Sequence, residues 1–166
     1  ADSRWYTGSG IYRDVWMIKA GDLHFAQWGV GWQATKITNS QAIIQVDREV
    51  VNELSYKLQA TSYKLQATLY DNEGKQVAIG NKVVKNNKAT STKETLNLKI
   101  NKPKRWDLKT PYLYTLKTEI VADGKVVDSS TCRVGLRTLQ FDANKGFALN
   151  GEWMKVKGVC LHHDAG

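Results

Sequence analysis

Three side chains able to ligate a metal or exchange a proton stand together at His162-His163-Asp164, near the end of the 166-residue chain. Imidazole and carboxylate both bind zinc, and imidazole changes charge near neutral pH. On a strand, however, neighbouring residues point to opposite faces, so this triplet converges on one ion only through a sharp turn. No metal site is expected. Cys132 and Cys160 lie in unrelated stretches without the paired spacing of a zinc or redox centre, and they read as free, buried thiols. At the other end Arg13-Asp14 sets a carboxylate beside a guanidinium. Such a carboxylate either pairs with its neighbour, caps a turn, or accepts hydrogen bonds from two hydroxyls at once. No glycine-rich phosphate loop is present, so no cofactor is implied.

The elements that must position these groups are strands. Ile44, Val46 and Val50 alternate with Gln45, Asp47 and Glu49; Tyr63, Leu65, Ala67 and Leu69 alternate with Lys64, Gln66 and Thr68. Leu96, Leu98 and Ile100 repeat the pattern, as do Tyr112, Tyr114, Leu116 and Ile120. Period two over nearly the whole chain, with no helical stripe of a dozen residues, predicts an all-β protein. Asp71 to Lys75 and Asp123-Gly124 mark reversals, the second with the chemistry of a tight hairpin. About seven strands between residues 25 and 137, spaced by turn residues, predict an immunoglobulin-like β-sandwich. Trp106 and Tyr114 are expected in its core or at a corner.

Composition bounds the function. Apolar residues at 42% and charged residues at 24% suit a globular domain, and no apolar run is long enough to cross a bilayer as a helix. A membrane association is therefore not expected, and no targeting signal is visible in Ala1-Asp2-Ser3-Arg4. The formal charge of +8 comes mostly from scattered lysines that alternate with apolar residues. These read as solvated strand faces that guard against edge pairing, so nucleic acid is not the expected partner.

One heptapeptide occurs twice without change, as Ser55-Thr61 and again as Ser62-Thr68. Because seven is odd, the two copies in one strand would aim their Tyr, Leu and Ala side chains at opposite faces. End to end they would also span about 46 Å at ~3.3 Å per residue, far beyond an ordinary strand. The second copy, tied to the Asn72-Gly74 turn, is expected to be the core strand and the first a bulge or loop. A duplication artefact is the rival explanation of the repeat.

Arg4 to Trp16, the Trp106-Asp107 and Pro111 to Tyr114 stretch, and Leu149-Asn150-Gly151 leading to Lys157-Gly158-Val159 together resemble glycoside hydrolase family 2, the β-galactosidase, β-glucuronidase and β-mannosidase group. The resemblance implies three pieces: 1–24 as the end of a jelly-roll sugar-binding domain, 25–137 as an Ig-like spacer, and 138–166 as the start of a (β/α)8 catalytic barrel. It implies that Asp14 and His162 bind sugar in a longer parent enzyme, with Arg13, His163 and Asp164 as further candidates. Cys160-Leu161-His162-His163-Asp164 departs from the Asn-Arg-His-Glu of many members. Asn52-Glu53 superficially matches the family's acid/base pair but lies in the sandwich and reads as a surface pair.

The resemblance further implies retaining hydrolysis by two glutamates on later barrel strands, which a barrel of about 250 residues would supply. Neither catalytic glutamate is expected in this chain, and no glycosidase activity of its own. A sodium or magnesium ion belongs, by resemblance only, to the parent site. The expected partners are the remaining domains, the parent's carbohydrate substrate, and a second copy through exposed strand edges. The competing reading is a free-standing carbohydrate-binding or adhesion module with Trp28, Trp32 and Trp153 as stacking platforms. Of the parent substrates, a β-galactoside is favoured because Arg13-Asp14-Val15 keeps the aspartate. The compartment, whether cytoplasmic or periplasmic and secreted, is not encoded in these residues.

Overall fold

A computed structural model describes residues 10, 11, 13–53, 62–85 and 90–160. Seven strands form the sandwich: β1 (Leu23–Ile37), β2 (Gln41–Asn52), β3 (Ser62–Tyr70), β4 (Gln76–Lys85), β5 (Ser91–Asn101), β6 (Tyr114–Ala122) and β7 (Lys125–Val134). They make a three-stranded sheet ordered β1-β2-β5 and a four-stranded sheet ordered β4-β3-β6-β7, all neighbours antiparallel. Three short strands follow, β8 (Leu139–Asp142), β9 (Gly146–Leu149) and β10 (Glu152–Met154), in a separate small sheet. The fold class is the one the alternation predicts, an immunoglobulin-like sandwich with flanking strands.

The second copy of the heptapeptide opens β3, where Tyr63, Leu65, Ala67 and Leu69 all turn inward and are buried. The first copy lies outside the described residues. Both expected turns form. Asp71 Oδ1 accepts the N–H groups of Glu73 and Lys75 at 3.0 and 2.8 Å, and Asp123-Gly124 takes positive φ at both positions, as the hairpin between β6 and β7 requires.

Inward residues of both sheets, mostly from β2, β3 and β6, build a core in two clusters. One holds Ile44, Val46, Leu69, Leu98, Leu116 and Leu136; the other holds Leu23, Val50, Tyr63, Leu65 and Ile120. Between Val46 and Val50 the inward phase of β2 is filled by Arg48, which is 2% exposed. None of its guanidinium nitrogens has a hydrogen-bond partner among the described residues. Burial lowers its pKa against the opposing pull of Glu94 and Asp47. Glu94 is its register partner on β5, yet that carboxylate is engaged by Lys82 at the open edge between β4 and β5. On the opposite edge Asp128 accepts the Phe25 N–H at 2.8 Å and ties β7 to β1.

Several expectations are corrected. Asn52 is buried in the same inward phase, so Asn52-Glu53 is not a surface pair; only Glu53 is exposed. Both cysteines are free, but Cys132 is half-buried on an outer strand whose cover is incomplete, and Cys160 is exposed. As expected, Tyr114 is a core residue, its hydroxyl accepting the Lys104 N–H at 2.8 Å, and Trp106 is partly covered beside Pro111. Of the two tails that flank the sandwich, the later one buries Ala148 and Leu149. In the earlier one Val15 to Ile18 form no strand, and Met17 is 95% exposed.

Because Arg48 is a buried cation without a hydrogen bond among the described residues, Arg48→Met should stabilise the fold by about 1–4 kcal/mol, read as a higher denaturant midpoint at unchanged slope. A lower midpoint would mean that the guanidinium has a partner whose loss outweighs its desolvation.

Candidate functional site

Of the sequence-derived site residues, the structure describes only Arg13 and Asp14. Arg13 and Asp14 are exposed on the segment before β1, and neither lines a groove described below. His162, His163 and Asp164 lie outside the described residues. Among the described residues no group of three or more His, Cys, Asp or Glu side chains is placed to hold a metal ion. Trp32 packs against the core, Trp153 is partly exposed, and Trp28 stands out in solvent.

What the chain does assemble is an apolar groove of about 580 Å³ where the sandwich meets the small sheet. Its wall on the sandwich side starts at Trp106, held by an N–H bond to the Leu136 carbonyl at 2.9 Å and by a bridge to Pro111. Asp107 Oδ1 accepts the N–H groups of Lys109 and Thr110 at 2.8 and 2.6 Å, which fixes the turn and leaves Leu108 exposed at its tip. The Arg137 guanidinium lies 4.8 Å over the Trp106 ring, a cation–π contact that roofs the junction. The opposite wall is Leu139, Phe147 and Met154 of the small sheet.

Asn150 is the clamp between the two walls. Its side-chain N–H donates to the Trp106 carbonyl at 2.9 Å, while its Oδ1 accepts the Thr138 N–H at 3.0 Å. The residue sits at φ +53°, a left-handed conformation that asparagine tolerates better than most side chains. Leu149-Asn150-Gly151 marked this place in the sequence, but nothing there said that the amide would reach back to Trp106. Arg48 was also missed. Its signal was the count along β2, which puts a charged residue in step with Ile44, Val46 and Val50. No member of this constellation is a nucleophile or acid/base pair; its chemistry is that of a surface able to bury another apolar surface.

Residues 30–137 match the family Glycosyl hydrolases family 2. The chain belongs to this family. It is 39% identical over 168 aligned residues to the β-galactosidase BoGH2A of Bacteroides ovatus, covering 99% of this chain and 19% of that protein. It is 31% identical to a β-glucuronidase of Formosa agariphila, covering 92% of this chain and 16% of the relative. Among solved structures, a glycosyl hydrolase family 2 member from Bacteroides cellulosilyticus superposes with a TM-score of 0.85 at 32% identity, over 98% of this chain and 22% of that one. The family 2 chain thus spans about a fifth of the length of the relatives it matches, and those relatives include both galactosidases and glucuronidases.

If Asn150 moors the small sheet, Asn150→Gly keeps the backbone conformation and removes only the two side-chain bonds, at a cost of about 1–3 kcal/mol. Limited trypsin digestion should then cut faster at Lys145 and Lys155, with the sandwich left intact. Unchanged cleavage at both lysines would show that Ala148 and Leu149 hold the sheet without the clamp.

Proposed function

We propose that the chain is the non-catalytic Ig-like spacer of a longer family 2 glycoside hydrolase, with short flanking pieces of its neighbouring domains. A β-galactoside is the favoured substrate of that parent. The observation that carries this reading is the alignment of nearly the whole chain with about a fifth of a β-galactosidase. The apolar surfaces left open at both ends of the sandwich, Val15 to Ile18 on one side and Leu108, Phe141 and Val156 on the other, support it as contact areas for flanking domains.

In the parent, retaining hydrolysis needs an acid to protonate the leaving oxygen and a carboxylate to attack the anomeric carbon, about 5–5.5 Å apart. The spacer's part is to hold the sugar-binding and barrel domains at fixed distance, so that those groups meet the bond in register. Asp14 would bind the sugar by accepting hydrogen bonds from adjacent hydroxyls, and His162 would donate to a third. Arg13, His163 and Asp164 stand beside them as supporting groups.

Nitrophenyl β-galactoside and β-glucuronide turnover separates the parts. The 166-residue chain should hydrolyse neither, and the longer protein should favour the galactoside. Asp14→Ala in the longer protein should lower kcat/KM by about 10- to 100-fold, the loss of a charge-assisted pair of hydrogen bonds. Turnover by the 166-residue chain itself would overturn the spacer reading.

A further inference from the structure

The outer face of the three-stranded sheet carries a second groove, of about 340 Å³, that the spacer role does not use. It begins at an irregularity in β1. Between the pairs Phe25↔Val50 and Val30↔Arg48, β1 advances five residues against two of β2, and the surplus chain stands off the sheet as a bulge. Gly29 makes the bulge feasible, because a Cβ there would lie 2.7 Å from the Ala26 carbonyl oxygen and 2.8 Å from that of Glu49. The residue carried outward is Trp28, 92% exposed and at φ +59°. A bulky side chain in the left-handed region is strained, and an indole in water gains nothing by it. Both costs fall on one residue.

The wall facing Trp28 is polar and already fixed. Asp47 accepts the side-chain N–H of Gln45 at 3.1 and 3.2 Å and the Thr95 hydroxyl at 2.7 Å. Glu49 accepts the Ser91 hydroxyl at 2.8 Å and pairs with Lys93 at 3.4 Å; the Ser91 bond is the main reason its pKa is lowered. Each carboxylate is therefore oriented while keeping acceptor capacity, since an ionised carboxylate offers about four lone-pair sites. Between Trp28 and this wall Gly31 leaves the trough open: a Cβ there would meet nothing within 4 Å.

An exposed indole face beside oriented carboxylates and an ammonium fits a ring with an apolar face and a rim of hydroxyls. We propose that this groove is an accessory binding site for neutral oligosaccharide, with Trp28 as the stacking platform and Asp47, Glu49 and Lys93 as hydroxyl partners. In the lining the carboxylates of Asp47, Glu49 and Glu94 outnumber the cations of Arg48 and Lys93, which disfavours uronic acid chains despite the positive charge of the protein as a whole. This site is independent of the spacer assignment, because binding is read on the 166-residue chain and hydrolysis on the longer protein.

The test is a titration of the 166-residue chain with β-1,4-galactotetraose, cellotetraose and polygalacturonate, following the indole and glycine amide signals by NMR. A neutral tetrasaccharide should shift the Trp28 indole and the Gly29 and Gly31 amides saturably, and polygalacturonate should not. Trp28→Gly should weaken binding by about tenfold or more while raising the melting temperature, since glycine relieves the strained φ. Gly31→Val should fill the trough with the same loss of binding and no loss of stability, valine being at home in a strand. Absence of a saturable shift with either neutral sugar, stronger binding of the polyuronate, or unchanged affinity in both variants would each overturn the proposal. So would a lower melting temperature for Trp28→Gly, which would make Trp28 a structural residue.

Discussion

The inward faces of β2, β3 and β6 must close on one another, and every other feature of the molecule is arranged around that closure. Ile44, Val46 and Val50 on one sheet meet Leu65, Ala67, Leu69, Leu116 and Ile120 on the other, all withdrawn from water. At ~25 cal/mol per Å² of apolar surface this contact is the dominant favourable term, and it is non-directional. Direction comes from the edges. The Lys82–Glu94 pair spans the gap between β4 and β5, and the Asp128 carboxylate holds the backbone of β1 at Phe25. Arg48 sits in the inward phase of β2 between Val46 of one cluster and Val50 of the other, a buried guanidinium without a hydrogen bond among the described residues.

The sequence showed the faces of the strands more clearly than their neighbours. Alternation in β3 and β6 needs only side-chain identity, and the turns at Asp71 and Asp123-Gly124 need only local chemistry, so these were legible. That β4 pairs with β3 and not with β5 depends on which edge each sheet leaves free, and period two carries no such information. Arg48 escaped notice because a charge in an apolar phase is easily passed over as an interruption. The Trp28 bulge escaped because nothing in Phe25 to Val30 announces a tryptophan with positive φ. Asn52 was expected at the surface on its polarity alone, whereas its phase along β2 places it inward with Val46 and Val50.

The sequence-derived site fared differently, since its described members, Arg13 and Asp14, lie outside the strands of the sandwich. Arg13 and Asp14 precede β1 on a strandless, exposed stretch, and His162, His163 and Asp164 lie outside the described residues. Under the proposed reading, sugar binding at Asp14 requires surfaces beyond the sandwich. The groove at Trp106 and Asn150 gives a physical reason for such surfaces: it fixes the small sheet against the sandwich and leaves apolar side chains outward. The proposed spacer role would call for a rigid core with adhesive ends.

Native-state hydrogen exchange on the 166-residue chain tests this account most directly. A self-supporting sandwich predicts that the amides of β2, β3 and β6 exchange only through global unfolding, while those of residues 13–20 exchange at the rate of an unstructured chain. Weak protection spread evenly over all seven strands would contradict it, and would mean that the sandwich has no core of its own without the domains beside it.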